Sequence, residues 1–133
     1  EQSKTEPDQY VVVVGEPPMA EWQGDDKCPA LSQEDVDLIE AAAGHGKPTV
    51  VVILGGRPLV IPQNTYAKAD AWIMAWLPGS GGGVAIADAI MGATEMTGRL
   101  PMTWPATCEA YDAPGWPEPV KENLVLLPAA PAE

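Results

Sequence analysis

Three uninterrupted apolar runs constrain the fold of this chain more than any other feature. They lie at residues 10–14, 49–54 and 71–76 and are rich in valine, isoleucine and tryptophan. Because apolar and polar residues do not alternate in them, each run is typical of a strand that is covered on both faces, as in a parallel sheet. The segments between the runs are long enough for crossover helices. The sequence therefore predicts right-handed βαβ units in an α/β fold.

Helix signals stand between and after the runs. The clearest predicted helix covers residues 33–43, with Ser32 at its N-cap and Gly44 at the position where helix ends favour glycine. Two further helices are predicted over residues 63–68 and 83–91. The predicted sheet-facing side chains are Val36, Ile39 and Ala43 in the first helix and Val84, Ala87 and Met91 in the last.

Length and charge exclude several classes of function. The 133 residues suffice for one domain, which we predict at residues 10–105, between a flexible segment at 1–9 and an irregular, proline-rich tail at 106–133. Nineteen acidic and seven basic residues give a net charge of -12, which repels nucleic acid and anionic membrane surfaces. No apolar stretch has the ~20 residues of a membrane span.

The cysteines and the single histidine argue against a metal site. Cys28 and Cys108 lack a C-x-x-C spacing, and His45 has no second histidine with which to share a metal ion. We expect no metal and no cofactor. The two cysteines form either one disulfide or two separate core residues, and the sequence leaves both alternatives open.

An acidic loop follows the first strand and is a candidate site for proton transfer. Ligands of parallel sheets bind beyond the carboxyl ends of the strands, and residues 15–26 lie at such an end. The carboxylates of this loop are Glu16, Glu21, Asp25 and Asp26. A partly desolvated carboxyl group beside other carboxylates would have its pKa raised, as a general acid requires. The alternative is a solvated surface loop.

Three further side chains are candidates for binding a sugar. Arg57, in the sequence Gly-Gly-Arg-Pro after the second strand, would aim its guanidinium at a carboxylate or a sugar hydroxyl, unless it lies in a plain surface turn. Trp22 and Trp104 follow strand ends or turns, where an indole can stack on a pyranose ring or simply pack.

Four motifs in a fixed order carry a family resemblance. They are VVVVGEPPMAE at 11–21, GKPTVVV with GRPL at 46–52 and 56–59, AWLPGS at 75–80, and TGRLPMTWP at 97–105. Together they resemble the C-terminal α/β-sandwich domain of glycoside hydrolase family 3, the β-glucosidases and exo-β-glucanases. The resemblance implies a three-layer sandwich with a mainly parallel sheet, truncated here relative to the family domain, and a periplasmic or secreted location.

The resemblance also implies a mechanism and a partner. Family members hydrolyse β-glucosides and β-glucans with retention, using an aspartate nucleophile from an N-terminal (β/α)8 barrel. The acid/base glutamate is in the Gly-Glu that follows the valine run. On this chain that residue is Glu16, and Glu21 is the nearest rival. The barrel is absent from the 133 residues, so we expect the chain alone to be inactive and to need a barrel domain or partner chain.

Two other functions stay open at this point. One is a noncatalytic module that binds a glucan or a protein through exposed tryptophans, with the acidic loop as plain surface. The other is a domain that works by association, because a truncated parallel sheet leaves an edge and an apolar face uncovered. Such a sheet favours a homo-oligomer or pairing with another chain.

Overall fold

A computed structural model of the protein describes residues 6–18 and 20–111. Its strands are β1 (Tyr10–Gly15), β2 (Thr49–Leu54) and β3 (Ala71–Trp76). Its helices are α1 (Gln33–Ala43), α2 (Gln63–Tyr66), α3 (Gly82–Ile90) and α4 (Cys108–Tyr111), with 3-10 turns at Glu21–Gly24 and Gly79–Gly81. The three predicted strands and the helix after Ser32 are confirmed, whereas α2 ends two residues earlier than the predicted span.

The three strands form one parallel sheet in the order β1-β2-β3. Val12 lies opposite Val51, and Val51 in turn lies opposite Trp72. A register shift between Ile53 and Leu54 interrupts the second ladder near the carboxyl ends of the strands. The α/β class and the parallel sheet predicted from the continuous apolar runs are therefore confirmed.

One face of the sheet packs against α1 and carries the core. The Ser32 side chain caps α1 by accepting a hydrogen bond from the Asp35 amide at 3.1 Å. The residues of α1 that are buried are Val36, Ile39 and Ala42, so Ala42 rather than the predicted Ala43 completes the inward face. Ala42 and Ala43 follow Ile39 by three and four residues, so both lie near its face of the helix, and residue spacing alone does not predict which of them is buried.

The opposite face of the sheet is only partly covered by α3. A groove of about 510 Å³ separates Val11 and Val13 of β1 from Ile86 and Ile90 of α3. The prediction that Val84 packs inward is wrong, because this side chain is 71% exposed.

The inward-facing side chains of α3 were predicted wrongly for a physical reason. The helix is mostly apolar, and its large side chains lie on two sides, with Ile86 and Ile90 on one and Val84 on another, so the sequence offers more than one inward face. Its rotation is set instead by the tight contact of Pro78 with Gly82, where an added Cβ would lie 2.4 Å from the proline ring. Met91, predicted inward, borders the groove but stays 77% exposed. Oligomer formation through this face stays a prediction.

The described chain continues beyond the predicted domain end at residue 105. Cys108–Tyr111 forms one helical turn, α4, and Cys108 is disulfide-bonded to Cys28. The disulfide settles the alternative that the two cysteines left open. The remaining residues of the predicted tail, 112–133, and the first five residues of the predicted N-terminal segment lie outside the described part.

Candidate active site

The carboxyl ends of all three strands meet at one edge of the sheet, and backbone hydrogen bonds tie them together. The Glu16 amide donates to the Leu54 carbonyl at 3.0 Å, and the Gly55 amide donates to the Trp76 carbonyl at 3.0 Å. Gly15 is required by this close approach, because a Cβ at this position would lie 2.1 Å from the Leu54 oxygen. The loops that follow the strands therefore start from fixed positions.

These loops enclose an acidic cleft of about 570 Å³. Its walls are formed by the acidic loop, by the turn after β2 and by the residue that follows β3. The lining residues are Glu16, Pro17, Pro18, Ala20, Glu21, Gly24, Asp25, Leu54, Gly55, Gly56, Arg57 and Leu77. The cleft thus brings together three of the predicted site residues, Glu16, Glu21 and Arg57.

An ion pair between Glu16 and Arg57 forms the inner wall of the acidic cleft. The Arg57 Nε donates to Oε1 of Glu16 at 2.8 Å, and Nη2 donates to the same oxygen. The side chains are 14% exposed for Glu16 and 25% exposed for Arg57. The hydrogen bond with Glu16 raises the pKa of Arg57, which favours the charged form of the guanidinium.

Arg57 also holds the far end of the acidic loop. Its Nη1 donates to the Gly24 carbonyl at 2.7 Å, so one guanidinium joins both ends of residues 16–24. A short parallel bridge supports the arrangement, because the Val60 amide donates to the Pro29 carbonyl and the Leu31 amide donates to the Val60 carbonyl. The loop is therefore fixed by the turn that carries Arg57.

Glu21 lies in the same cleft in a very different setting. Its side chain is exposed, and it has no ion-pair partner within residues 6–18 and 20–111. Its backbone φ is 55°, a left-handed conformation that is unfavourable for a residue with a side chain. Trp76, directly before the cleft residue Leu77, also has a φ of 55°. Strained residues held by their surroundings occur preferentially at functional sites.

The two tryptophans predicted to bind sugar lie apart from each other, and neither lines the acidic cleft. Trp22 is 75% exposed and lies in the 3-10 turn that begins at Glu21. Trp104 packs against the core, where its indole N–H donates to the Leu59 carbonyl at 2.8 Å. It lines a separate cavity of about 230 Å³ rather than the acidic cleft.

Tyr111 is a site neighbour that sequence analysis did not find. The residue is half-buried, and burial raises the pKa of its hydroxyl. It interacts electrostatically with Arg57, Glu16 and Asp26. No motif marks this tyrosine in the sequence, and only the even number of cysteines pointed to the disulfide that ties α4 to the acidic loop.

Two kinds of feature are not found among the described residues, a cluster of metal ligands and a membrane-spanning helix. Residues 6–18 and 20–111 contain no group of three or more His, Cys, Asp or Glu side chains placed to hold a metal ion. No helix within the same ranges has the length and apolar character needed to cross a bilayer.

Comparison with known proteins identifies the family. Residues 1–126 match the sequence model of the glycosyl hydrolase family 3 C-terminal domain. The chain belongs to this family. The match extends beyond residues 10–105, over which the motifs carry the resemblance.

Individual proteins similar to this family 3 domain are much longer than it. A lysosomal beta glucosidase of Dictyostelium discoideum is 37% identical over 91% of the chain, which spans 15% of that protein. A periplasmic beta-glucosidase of Salmonella typhimurium is 37% identical over 78% of the chain, which spans 14% of it. The crystal structure of an exo-1,3/1,4-beta-glucanase from a Pseudoalteromonas species superposes with a TM-score of 0.66 at 34% identity, covering 78% of this chain and 18% of that one.

Proposed function

We propose that this family 3 domain supplies the proton-transferring half of a retaining β-glucosidase site, with Glu21 as general acid/base and Glu16 as its positioning partner through Arg57. The observation that carries the proposal is the contrast between the two glutamates. Glu16 is committed to Arg57 by two hydrogen bonds, whereas Glu21 is exposed in the same cleft.

The contrast matters because the two tasks need opposite environments. A guanidinium partner stabilises a carboxylate in its charged form, which suits a residue that holds a loop. A general acid must instead hold a proton until the leaving group needs it. The family resemblance implies the acid/base role for Glu16, with Glu21 as the rival. The ion pair leads us to propose the reverse order.

The proposed reaction has two steps. In the first, an aspartate from a barrel domain attacks the anomeric carbon while Glu21 gives its proton to the glycosidic oxygen, so the sugar–oxygen bond breaks and a glycosyl-enzyme ester forms. In the second, the ionised Glu21 takes a proton from water, whose oxygen attacks the same carbon and releases the aspartate. The two carboxyl groups must come within roughly 5 Å of each other for retention.

The relatives support a substrate class and a partner for the proposed site. The three similar proteins described above are named as two beta-glucosidases and an exo-beta-glucanase, which supports a terminal β-D-glucosyl residue as the substrate. The chain spans about one-seventh of the first of these relatives. We therefore propose that the nucleophile and most sugar-binding residues come from a barrel domain outside these 133 residues.

The test compares Glu21→Gln with Glu16→Gln in the chain combined with a family 3 barrel domain. Aryl β-glucosides with good and poor leaving groups are hydrolysed in parallel. A general acid matters most when the leaving group is poor, so Glu21→Gln should lower kcat/KM by about 10²–10⁴-fold for the poor leaving group and far less for the good one. Glu16→Gln should lower both to a similar extent.

The opposite pattern would overturn the assignment. If Glu16→Gln shows the strong dependence on leaving group and Glu21→Gln does not, Glu16 is the acid. Glu34→Gln, on the exposed first turn of α1, is the matched control and should leave both activities unchanged.

A binding module is the second candidate function, and the exposed Trp22 indole beside the acidic cleft favours it. An indole face in this position can stack on a sugar ring. Calorimetric titration of the isolated chain with glucose and short β-glucans separates the two functions. Binding that disappears in Trp22→Ala would support the module, and no heat of binding would leave the half-site proposal standing.

A further inference from the structure

The Cys28–Cys108 disulfide connects two segments that are 80 residues apart in sequence, and one of them borders the acidic cleft. The two Cα atoms are 4.9 Å apart. Cys28 follows the acidic loop, and its amide donates to Oδ1 of Asp26 at 2.9 Å. Cys108 is the first residue of α4. The bond therefore fixes the start of α4 beside the loop that carries the cleft carboxylates.

The geometry of α4 places Tyr111 on the same side as this bond. Thr107 caps the turn, because its side chain accepts from the Ala110 amide at 3.2 Å and its carbonyl accepts from the Tyr111 amide at 3.1 Å. Residues three apart in a helix share a face, so Cys108 and Tyr111 project together. Tyr111 is half-buried.

The charges that act on the Tyr111 hydroxyl come from the acidic loop and from Arg57. It interacts electrostatically with Arg57, Glu16 and Asp26. A phenol both donates and accepts a hydrogen bond, so it can serve a guanidinium and a carboxylate at once. The disulfide fixes α4 beside the acidic loop, and Tyr111 on this helix is within electrostatic range of the Glu16–Arg57 pair.

We propose that Tyr111 is a positioning residue of the acidic cleft and that the Cys28–Cys108 disulfide holds it at the Glu16–Arg57 pair, so that the geometry of the cleft depends on the thiol–disulfide state of these cysteines. The catalytic consequence rests on the proposed function. The structural consequence does not, because it concerns only residues of this chain.

The reason for the dependence is the size of α4. One helical turn of four residues is far below the length at which a helix is stable by itself in water. A dithiol reductant breaks the S–S bond, leaves two cysteine thiols and is itself oxidised to a cyclic disulfide. Reduction removes the cross-link that keeps α4 beside Asp26, and Tyr111 leaves the ion pair.

Nuclear magnetic resonance of the isolated chain tests the structural part. The Nε–H signal of Arg57 reports the hydrogen bond to Glu16. It should shift in Tyr111→Phe, which removes only the hydroxyl, and shift further in the variant with Cys28→Ser and Cys108→Ser. Tyr66→Phe, a tyrosine stacked on Trp72 away from the cleft, is the matched control and should leave the signal in place.

Ultraviolet titration of tyrosine ionisation gives a second readout. Burial raises the pKa of Tyr111, so one tyrosine of the oxidised chain should ionise late. The late component should disappear in Tyr111→Phe and move toward the ordinary range after reduction. If it survives reduction in a chain that circular dichroism shows to be folded, or if the Arg57 signal is the same in all variants, the proposal is overturned.

Activity with an added barrel domain tests the catalytic part. Tyr111→Phe should lower kcat/KM on the order of fivefold, a change equal to the net free energy of one typical hydrogen bond, and the control variant should not. A shifted Arg57 signal with no glucosidase activity in any variant would refute the proposed function and leave the role of the disulfide intact. Unchanged kcat/KM in an active Tyr111→Phe enzyme would refute the catalytic part alone.

Discussion

Replacing Arg57 by methionine tests whether the Glu16–Arg57 pair fixes the acidic loop. Methionine keeps an unbranched apolar stem of similar reach but removes every donor. The substitution therefore deletes two hydrogen bonds to Glu16 and the bond to the Gly24 carbonyl. It also leaves the Glu16 carboxylate 14% exposed and without its cation.

The size of the effect follows from the degree of burial. A hydrogen bond to a charged group contributes about 1.5–3 kcal/mol, whereas an exposed ion pair contributes about 0–1 kcal/mol. Arg57 is 25% exposed, so solvent screens part of the interaction. We expect Arg57→Met to lower the free energy of unfolding by about 2 kcal/mol, which corresponds to a fall in Tm of roughly 8 °C for a domain of this size.

Urea unfolding of the chain measures this loss, and a double-mutant cycle with Glu16→Gln isolates the pair. The two substitutions should be non-additive by about 1 kcal/mol, because each removes the same interaction. Arg99→Met, at an exposed position, is the control and should change stability by less than about 0.5 kcal/mol. A loss no larger than the control, or full additivity with Glu16→Gln, would refute the view that this pair holds the loop.

Two further predictions concern stability. Gly15→Ala should destabilise the fold by about 1–3 kcal/mol in thermal unfolding, because the added Cβ would meet the Leu54 carbonyl. Gly83→Ala in α3 is the control and should stabilise the fold slightly, because its Cβ meets no atom within 4 Å. Equal effects of the two substitutions would contradict the prediction. The hydrogen bond from Lys68 holds the pKa of Glu40 below its ordinary value of 4.5, so the stability from this pair is present above pH 4.5 and is lost as the pH falls through the lower, folded pKa. Lys68→Met should flatten the acid side of the stability curve, and an unchanged curve would show that the pair contributes nothing.

The secondary structure was largely predictable from the sequence. The composition of the valine run at β1 and of the mixed aliphatic run at β2 identified both as strands, although β2 is buried on both faces and β1 buries only Val12 and Val14. The Ser32 cap placed the start of α1 correctly, because capping depends on residues close in sequence. The inward face of α3 was predicted wrongly, since Val84 lies on a different side of this mostly apolar helix from Ile86 and Ile90.

The candidate site was predictable only in part. The acidic loop and Arg57 were found separately, because each follows a strand end and carries charge. Their pairing joins residues 41 positions apart and was left open as one of several uses for the guanidinium. The role of Glu16 therefore changes from proton donor in the sequence-based hypothesis to positioning partner in the proposal, while Tyr111 had no sequence signal at all.

The amino-acid sequence alone determined which segments form strands and helices, that the sheet is parallel, and to which family the domain belongs. Those properties depend on the local pattern of apolar residues, caps and turns. Only the folded structure decided which carboxylate meets the arginine, which remains open to solvent, and that the two cysteines bond. Such choices depend on distances between residues remote in sequence, and these distances are set by how the strand ends converge at one edge of the sheet.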